Sequence, residues 1–321
     1  MSRQPKSSCN DPALADPDGL YYYDDAAASR AVKFFAVCLK HVKGDKAGKP
    51  LVLDAWQEER IIRPFFGWKR KADDTRRFRT LYLEVPRKNG KSTLIAGLGL
   101  YLLFADGEQG GEIYSAAADK EQAAIVFQVA KGMVDQNRDL TAASLTVRHN
   151  ISVARTSSFY RVLSADAFTK HGLNAHGILF DELHAQPNRE LYDVLTTSVG
   201  SRSQPAVFLI TTAGVRPKAK GVSICWEMHE HALKVAAGTV RDDTFLPVVF
   251  AASDKDDWTD PKVWARCNPG LGSSIRGDYL QEACERAKSI PGYENTFKRL
   301  HLNLWTEQDT RWIQMEKWDA C

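Results

Sequence analysis

The sequence contains no C-x-x-C pair, and its six cysteines, Cys9, Cys38, Cys225, Cys267, Cys284 and Cys321, are scattered. That spacing excludes the usual zinc-ligand frameworks, and the thiols read as reduced, as in a cytosolic protein. No secretory leader pattern opens the chain. The longest apolar stretch, Leu94 to Phe104, is too short to span a bilayer. Charge of one sign is also missing. Lys+Arg 43 against Asp+Glu 40 leaves a formal charge of +3, which neither demands nor excludes a nucleic-acid partner, since only local clustering would count. No internal repeat is visible. What remains is a chain of 321 residues, 44% hydrophobic and 26% charged, expected to be soluble and intracellular and long enough for one large domain plus a small one.

Along the chain, the first twenty residues are rich in Pro, Asp and Ser and read as a loose arm. Apolar residues then recur at helical spacing from Ala26 to Val42, and a second helix fits DAWQEERIIRPFFGW. Strand-like runs follow at 79–85, 111–117, 159–165, 177–181, 206–212 and 245–250. Helical runs lie between several of them, at 92–105, 119–136, 189–199 and 222–237. This alternation predicts an α/β fold with a mostly parallel sheet covered on both faces. SLTVRHNISVARTSSFYRVLSA reads as an antiparallel hairpin annexed to that sheet. After Ala251 the chain turns polar and turn-rich, then helical at 278–289 and 293–304, as a small helical appendage would be. The expected division is an arm and helix over 1–50, a core over 51–250, and a lid and linker over 251–321.

The most informative stretch lacks something as well. VPRKNGKST, residues 85–93, ends as a phosphate-binding loop ends, but has Val85 where G-x-x-x-x-G-K-[ST] has glycine. Its context is nevertheless strand, loop, helix. Gly90 allows backbone N–H groups to turn inward, and the helix N-terminus adds its dipole. Lys91 would bridge the β- and γ-phosphates of ATP, and the Ser92 hydroxyl would ligate Mg²⁺. Pro86 stiffens the start of the loop, and Arg87 and Lys88 add charge where the γ-phosphate would sit. The plainer reading is an exposed basic turn before a helix.

A phosphate loop calls for a second strand ending in a carboxylate. HGILFDELH supplies an apolar run to Phe180, followed by Asp181 and Glu182. Asp181 would hold Mg²⁺, mostly through water, and Glu182 would act as general base toward the attacking water. Acids opening a solvated helix would look similar. The next strand, LITTAG, ends in Thr211, Thr212 and Ala213, whose hydroxyls could contact the γ-phosphate.

Taken in order, PRKNGKST, SAAADKEQA, HGILFDELHA and LITTAG resemble the large terminase subunit of tailed bacteriophages, over roughly residues 50 to 320. The resemblance implies an additional-strand (ASCE), RecA-like P-loop NTPase with a helical lid or linker subdomain. It implies an ATPase that drives double-stranded viral DNA into a procapsid, in the host cytoplasm. Pro86, Arg87, Lys88, Asn89, Gly90, Lys91, Ser92 and Thr93 would then form Walker A, with Arg87 as its characteristic arginine. Asp181 and Glu182 would form Walker B, and Thr211 to Ala213 the coupling motif. Gln57 would face the adenine, although an amphipathic helix explains Trp56 and Gln57 equally well. The family works as a ring, a pentamer, with the portal protein and the small terminase subunit as partners. A basic residue would reach the neighbour's ATP: Lys170, with Arg148, Arg155 and Arg161 as rivals. Family members continue into a nuclease domain. The chain is expected to hold the ATPase portion without that domain, and so to lack nuclease activity. Two other classes remain: a DExH-type helicase-like ATPase, since DELH fits that box, and a non-catalytic nucleotide-gated docking module.

Other features have plainer readings. WKRKADDTRRFR, 68–79, could track DNA phosphates, but reads more readily as a solvated edge loop. His229 and His231, two apart on a helix, point away from each other. His176 and His184 bracket the acid strand in supporting roles. Trp258, Trp264, Trp305, Trp312 and Trp318 are expected to pack the helical appendage.

Overall fold

The computed structural model describes residues 12–117, 120–163, 172–217 and 223–307. Its centre is an eight-stranded sheet. In chain order the strands are β1 Tyr21–Tyr23, β2 Trp68–Arg70, β3 Thr80–Glu84, β4 Glu112–Ala116, β5 Leu145–Thr146, β6 Asn150–Val153, β7 Ser158–Val162, β8 Ala175–Phe180, β9 Ala206–Thr211 and β10 Phe245–Val249. β1 and β2 form a separate antiparallel ribbon, and the large sheet runs β10-β3-β9-β8-β4-β7-β6-β5. From β10 to β7 neighbouring strands pair in parallel, while β5, β6 and β7 form the antiparallel edge. Strands β8 and β9 are buried along their whole length. That is why they read as unbroken apolar runs rather than alternating ones.

The helices are α1 Asp25–Cys38, α2 Ala55–Gln57, α3 Arg63–Gly67, α4 Lys91–Phe104, α5 Lys120–Asp135, α6 Arg138–Ala143, α7 Glu190–Thr197, α8 Ile224–Ala236, α9 Pro261–Cys267, α10 Gly277–Ser289 and α11 Pro291–Leu302. A π-helical turn, Glu58–Ile62, joins α2 to α3. One face of the sheet is covered by a core to which α1, α3, α4 and α5 contribute, and the other by α7 and α8. α4 lies between the sheet and α1 and is buried on nearly every side. Two glycines permit this. A Cβ on Gly97 would stand 2.4 Å from the Phe35 ring, and one on Gly99 would stand 2.6 Å from Leu179. α9, α10 and α11 build their own small core around Phe297, Trp264 and Leu280.

Three readings of the sequence need correction. The basic stretch 68–79 is not a solvated loop. Its start is β2, and Arg76 and Arg77 are buried. Arg77 donates to the carbonyls of Ala13, Leu14 and Ala15 and to Asp243, pinning the N-terminal segment under the sheet. Arg76 pairs with Asp106, which also bonds the buried His176. Side-chain length allowed this for Arg77, whose guanidinium reaches several carbonyls at once, so that burial leaves none of its nitrogens unpaired. Second, Trp305 does not pack the appendage; it lies beneath α8 against Trp226 and His229. Trp312 and Trp318 lie outside the described residues. Third, α9 is a helix within a stretch that read as irregular, because it is short and its start depends on an Asp260 cap.

Candidate functional site

Because β3, β9 and β8 are parallel neighbours, their C-terminal ends open on the same edge of the sheet, where α/β folds place their sites. β9 lies between the other two. The chain therefore brings together the loop 85–90 after β3, Asp181 and Glu182 after β8, and Thr211 to Ala213 after β9.

The loop turns through two left-handed residues, Lys88 at φ 71° and Gly90 at φ 80°, before α4 begins at Lys91. Glycine is at home there, but lysine is strained. Lys91 is buried, and its Nζ donates to the carbonyls of Val85 at 2.9 Å and Pro86 at 3.1 Å. Burial holds its pKa down to about 8, against the opposing pull of Glu182 and Asp181. Ser92 Oγ is 3.5 Å from Asp181 Oδ2. Arg87 and Lys88 are exposed, Pro86 is buried, and Thr93 is half-buried.

Asp181 accepts from the Glu182 N–H at 3.1 Å. Burial, then the charge of Glu182, pushes its carboxyl up to about 6, with Lys91 pulling the other way. Glu182 sits in the left-handed region, φ 53°, so the chain turns sharply at the strand end and the carboxylate is set beside the site. Its Oε2 is buried, accepts no hydrogen bond from the described residues, and lies 3.2 Å from His184 Nδ1.

His184 carries more than sequence spacing showed. Its backbone N–H donates to Thr211 Oγ1 at 3.1 Å, and its Nδ1 stands 3.1 Å from that oxygen and 3.3 Å from Thr212 Oγ1. Burial lowers its pKa, against the opposing pull of Glu182. Thus the acid strand and the TTA strand end meet at one imidazole. Thr212 has no exposed surface, and its hydroxyl stands against the His184 ring. It reaches the acid side through His184. Ala213 N–H is held by Asn303 Oδ1 at the end of α11.

Two further expected contacts are redirected. The Asn89 side chain faces away from the loop mouth: its amide bonds Pro86 and Asn268 and accepts from Gly270. Only its backbone N–H is left for a phosphate. Gln57 Oε1 accepts from Asp54 N–H in a capping box, and its Nε2 would stand 3.6 Å from a Cβ on Gly90. Gln57, Thr93, Leu94, His41 and Ser274 line a small cavity beside Gly90. Lys170 lies outside the described residues, whereas Arg148, Arg155 and Arg161 are exposed on the antiparallel edge.

Sequence reasoning also passed over Glu84, at the end of β3 and fully buried. Tyr82 and His229 each bond its Oε2 at 2.7 Å, and Trp305 bonds Oε1 at 3.1 Å. His231 instead faces Asp242, so the two histidines of α8 serve different carboxylates.

No group of three or more His, Cys, Asp or Glu able to hold a metal exists among the described residues. The Ser92–Asp181 pair suits a different ion. Two hard oxygen donors fit Mg²⁺, which keeps waters and takes substrate phosphate oxygens. Such a metal competes with the proton on Asp181. Metal-dependent turnover should therefore be half-maximal near pH 6, level off about one pH unit higher, and fall as pH drops through about 6. The midpoint should move to lower pH as Mg²⁺ is raised. A midpoint indifferent to Mg²⁺ would assign the pH effect to another group.

Comparisons with known proteins agree on one family. Residues 56–224 match the family model "Terminase large subunit, ATPase domain". Residues 239–321 match "Terminase large subunit, endonuclease domain", which overturns the expectation that the nuclease part is missing from this chain. The sequence misled because the stretch after Ala251 reads as turn-rich and then helical. The described residues of that region instead provide β10, the outer strand of the large sheet, and α9 to α11. The terminase large subunit of Enterobacteria phage HK97 is 28% identical over 284 residues, covering 87% of this chain and 53% of that protein. Protein YmfN of Escherichia coli (strain K12) is 30% identical over 150 residues, 47% of this chain and 32% of that protein. The crystal structure of the HK97 bacteriophage large terminase superposes with a TM-score of 0.72 at 26% identity, covering 92% of this chain and 58% of that one. The chain thus spans about half the length of that phage relative.

Proposed function

Because this chain belongs to the terminase large-subunit family, we propose that it is the ATP-hydrolysing part of a DNA-packaging motor, with double-stranded viral DNA as the translocated partner. The observation that carries the hydrolytic reading is Glu182. Its Oε2 is buried beside the Asp181–Ser92 pair and accepts no hydrogen bond from the described residues, which leaves it free to take a proton from water.

ATP would lay its phosphates on the loop 86–93, where the backbone N–H groups and the start of α4 favour anions. Lys91 would exchange the carbonyls of Val85 and Pro86 for phosphate oxygens. Ser92 and Asp181 would hold Mg²⁺, which would offset the charge on the β- and γ-phosphates. Glu182 orients a water and accepts its proton as the oxygen attacks the γ-phosphorus, giving ADP and phosphate. Arg87, exposed at the loop, stabilises charge on the transferring group, and Gln57 meets the adenine. Loss of the γ-phosphate changes what surrounds Glu182, and His184 passes the change to Thr211 and Thr212. Lys170, or one of the arginines on the β5–β7 edge, is the candidate to complete a neighbour's site. A ring of five, the portal protein and the small subunit are the partners that this family membership suggests.

The test is phosphate release from ATP across a range of protein concentrations. Turnover rising faster than linearly is expected, because neighbouring subunits would share a site. Strict proportionality would mean a self-contained ATPase and would remove the trans-acting role. Binding of ATP without any turnover would favour a nucleotide-gated docking module.

A further inference from the structure

We infer that Asn268 is a positioning residue for the phosphate loop, and that through it the helical subdomain α9–α11 and the nucleotide sense one another. The inference rests on reading residues 85–93 as the ATP site. It concerns a link that neither the loop motif nor the metal pair contains.

Asn89, at the middle of the loop, is buried, and its side chain is committed to the subdomain. Its Nδ2 donates to Asn268 Oδ1 at 3.0 Å, and its Oδ1 accepts from Gly270 N–H at 2.9 Å. Beside it, the Arg87 N–H donates to the Leu300 carbonyl at 2.9 Å. Asn268 is equally committed. Its Nδ2 donates to the carbonyls of Trp264 at 3.0 Å and His301 at 2.8 Å, tying the end of α9 to the end of α11. One buried amide therefore joins three elements, and every hydrogen-bonding group of both asparagine side chains is used.

The link has something to hold. Lys88 and Gly90, on either side of Asn89, are both left-handed. A lysine stays in that region only when surrounding structure over-determines it. The two hydrogen bonds at Asn89 are such a restraint, and they come from outside the loop. Packing adds to them: a Cβ on Gly270 would stand 3.0 Å from Asn89 Oδ1 and 2.3 Å from Ser274 Oγ. The same loop, 268–275, also grips the other end of the cavity. Ser273 Oγ donates to Asp54 Oδ2 at 2.6 Å, and Asp54 caps the helix that carries Gln57. The subdomain is thus bonded at both the phosphate end and the base end. By reciprocity of linked equilibria, if the subdomain sets the loop that binds nucleotide, nucleotide must change the stability of the subdomain contacts.

The experiment uses the full chain. ATP affinity and amide hydrogen exchange over 268–276 and 290–304 are measured with and without ATP and Mg²⁺. Wild type should show slower exchange in these segments with nucleotide bound. Asn268→Ala should weaken ATP binding about fivefold, the loss of roughly one buried neutral hydrogen bond, and should abolish the nucleotide-dependent difference in exchange. If Asn268→Ala does not fold, Gly270→Ala serves instead, since its Cβ separates the same two loops. A merely structural Asn268 would raise exchange equally with and without ATP and leave affinity unchanged, and that result would overturn the inference. Wild type that fails to bind ATP at all would overturn the ATP-site reading instead.

Discussion

Glu182→Gln should lower phosphate release by at least two orders of magnitude while ATP affinity changes by no more than about threefold. A positioned general base contributes about 10²–10⁴-fold, and glutamine keeps the size and hydrogen-bonding reach of the side chain while losing the capacity to take a proton. The left-handed turn at residue 182 fixes where the side chain starts, so the variant is expected to keep its place. Its Oε1 or Nε2 would still stand near His184, which preserves the contact with Thr211 and Thr212. The measurement is single-turnover phosphate release beside an equilibrium titration with ATP. A variant retaining more than a tenth of wild-type turnover would remove Glu182 from the base role and leave it as a prop for His184.

Lys91→Ala should reduce ATP affinity by about a hundredfold or more, with turnover falling below detection, yet leave the fold intact. In the folded protein the ammonium is buried and its pKa is held down to about 8. The sign of the resulting linkage is opposite to that of a salt-bridged lysine. Between about pH 8 and the ordinary lysine value the folded state holds fewer protons than the unfolded chain, so stability rises with pH across that window. Below it the charged form bears a burial penalty, which alanine removes. The buried Val85 carbonyl loses its donor whereas that of Pro86 keeps Asn89, a cost that offsets part of the removed penalty, so unfolding temperature near neutral pH should change little. Phosphates should raise the Lys91 pKa on binding. Near pH 8, ATP binding to wild type should therefore take up a proton, read by calorimetry in buffers of different ionisation enthalpy. Equal uptake by Lys91→Ala would show that another group is responsible.

Much of the fold was legible in the sequence because its signals are local. The strands at 80–84, 175–180 and 206–211 are apolar runs of the right length bounded by turn residues, and burial on both faces of a parallel sheet requires such runs. The antiparallel edge could be read from alternation and from the turns at 147–149 and 154–157. The loop 85–93 and the pair Asp181–Glu182 stand out in the sequence because each follows an apolar strand, and the parallel pairing sets both on one edge of the sheet. The nuclease match was missed because what the described part of that region builds is an edge strand and three helices, which carry no spaced-acid signature.

The main strands β3, β4 and β7 to β10, the helices α4, α5, α7 and α8, and the residue types at the strand ends follow from neighbours in the chain, and the sequence alone determined them. The tertiary structure decided the rest: that β9 lies between β3 and β8, that His184 joins Glu182 to Thr211 and Thr212, that Arg77 pins the N-terminal segment, and that Asn89 belongs to the helical subdomain as much as to the phosphate loop. Asn89 and Asn268 are 179 positions apart. No periodicity or spacing links residues at that separation. Their hydrogen bonds exist only because the fold brings both amides, each too costly to bury unpaired, to the same place.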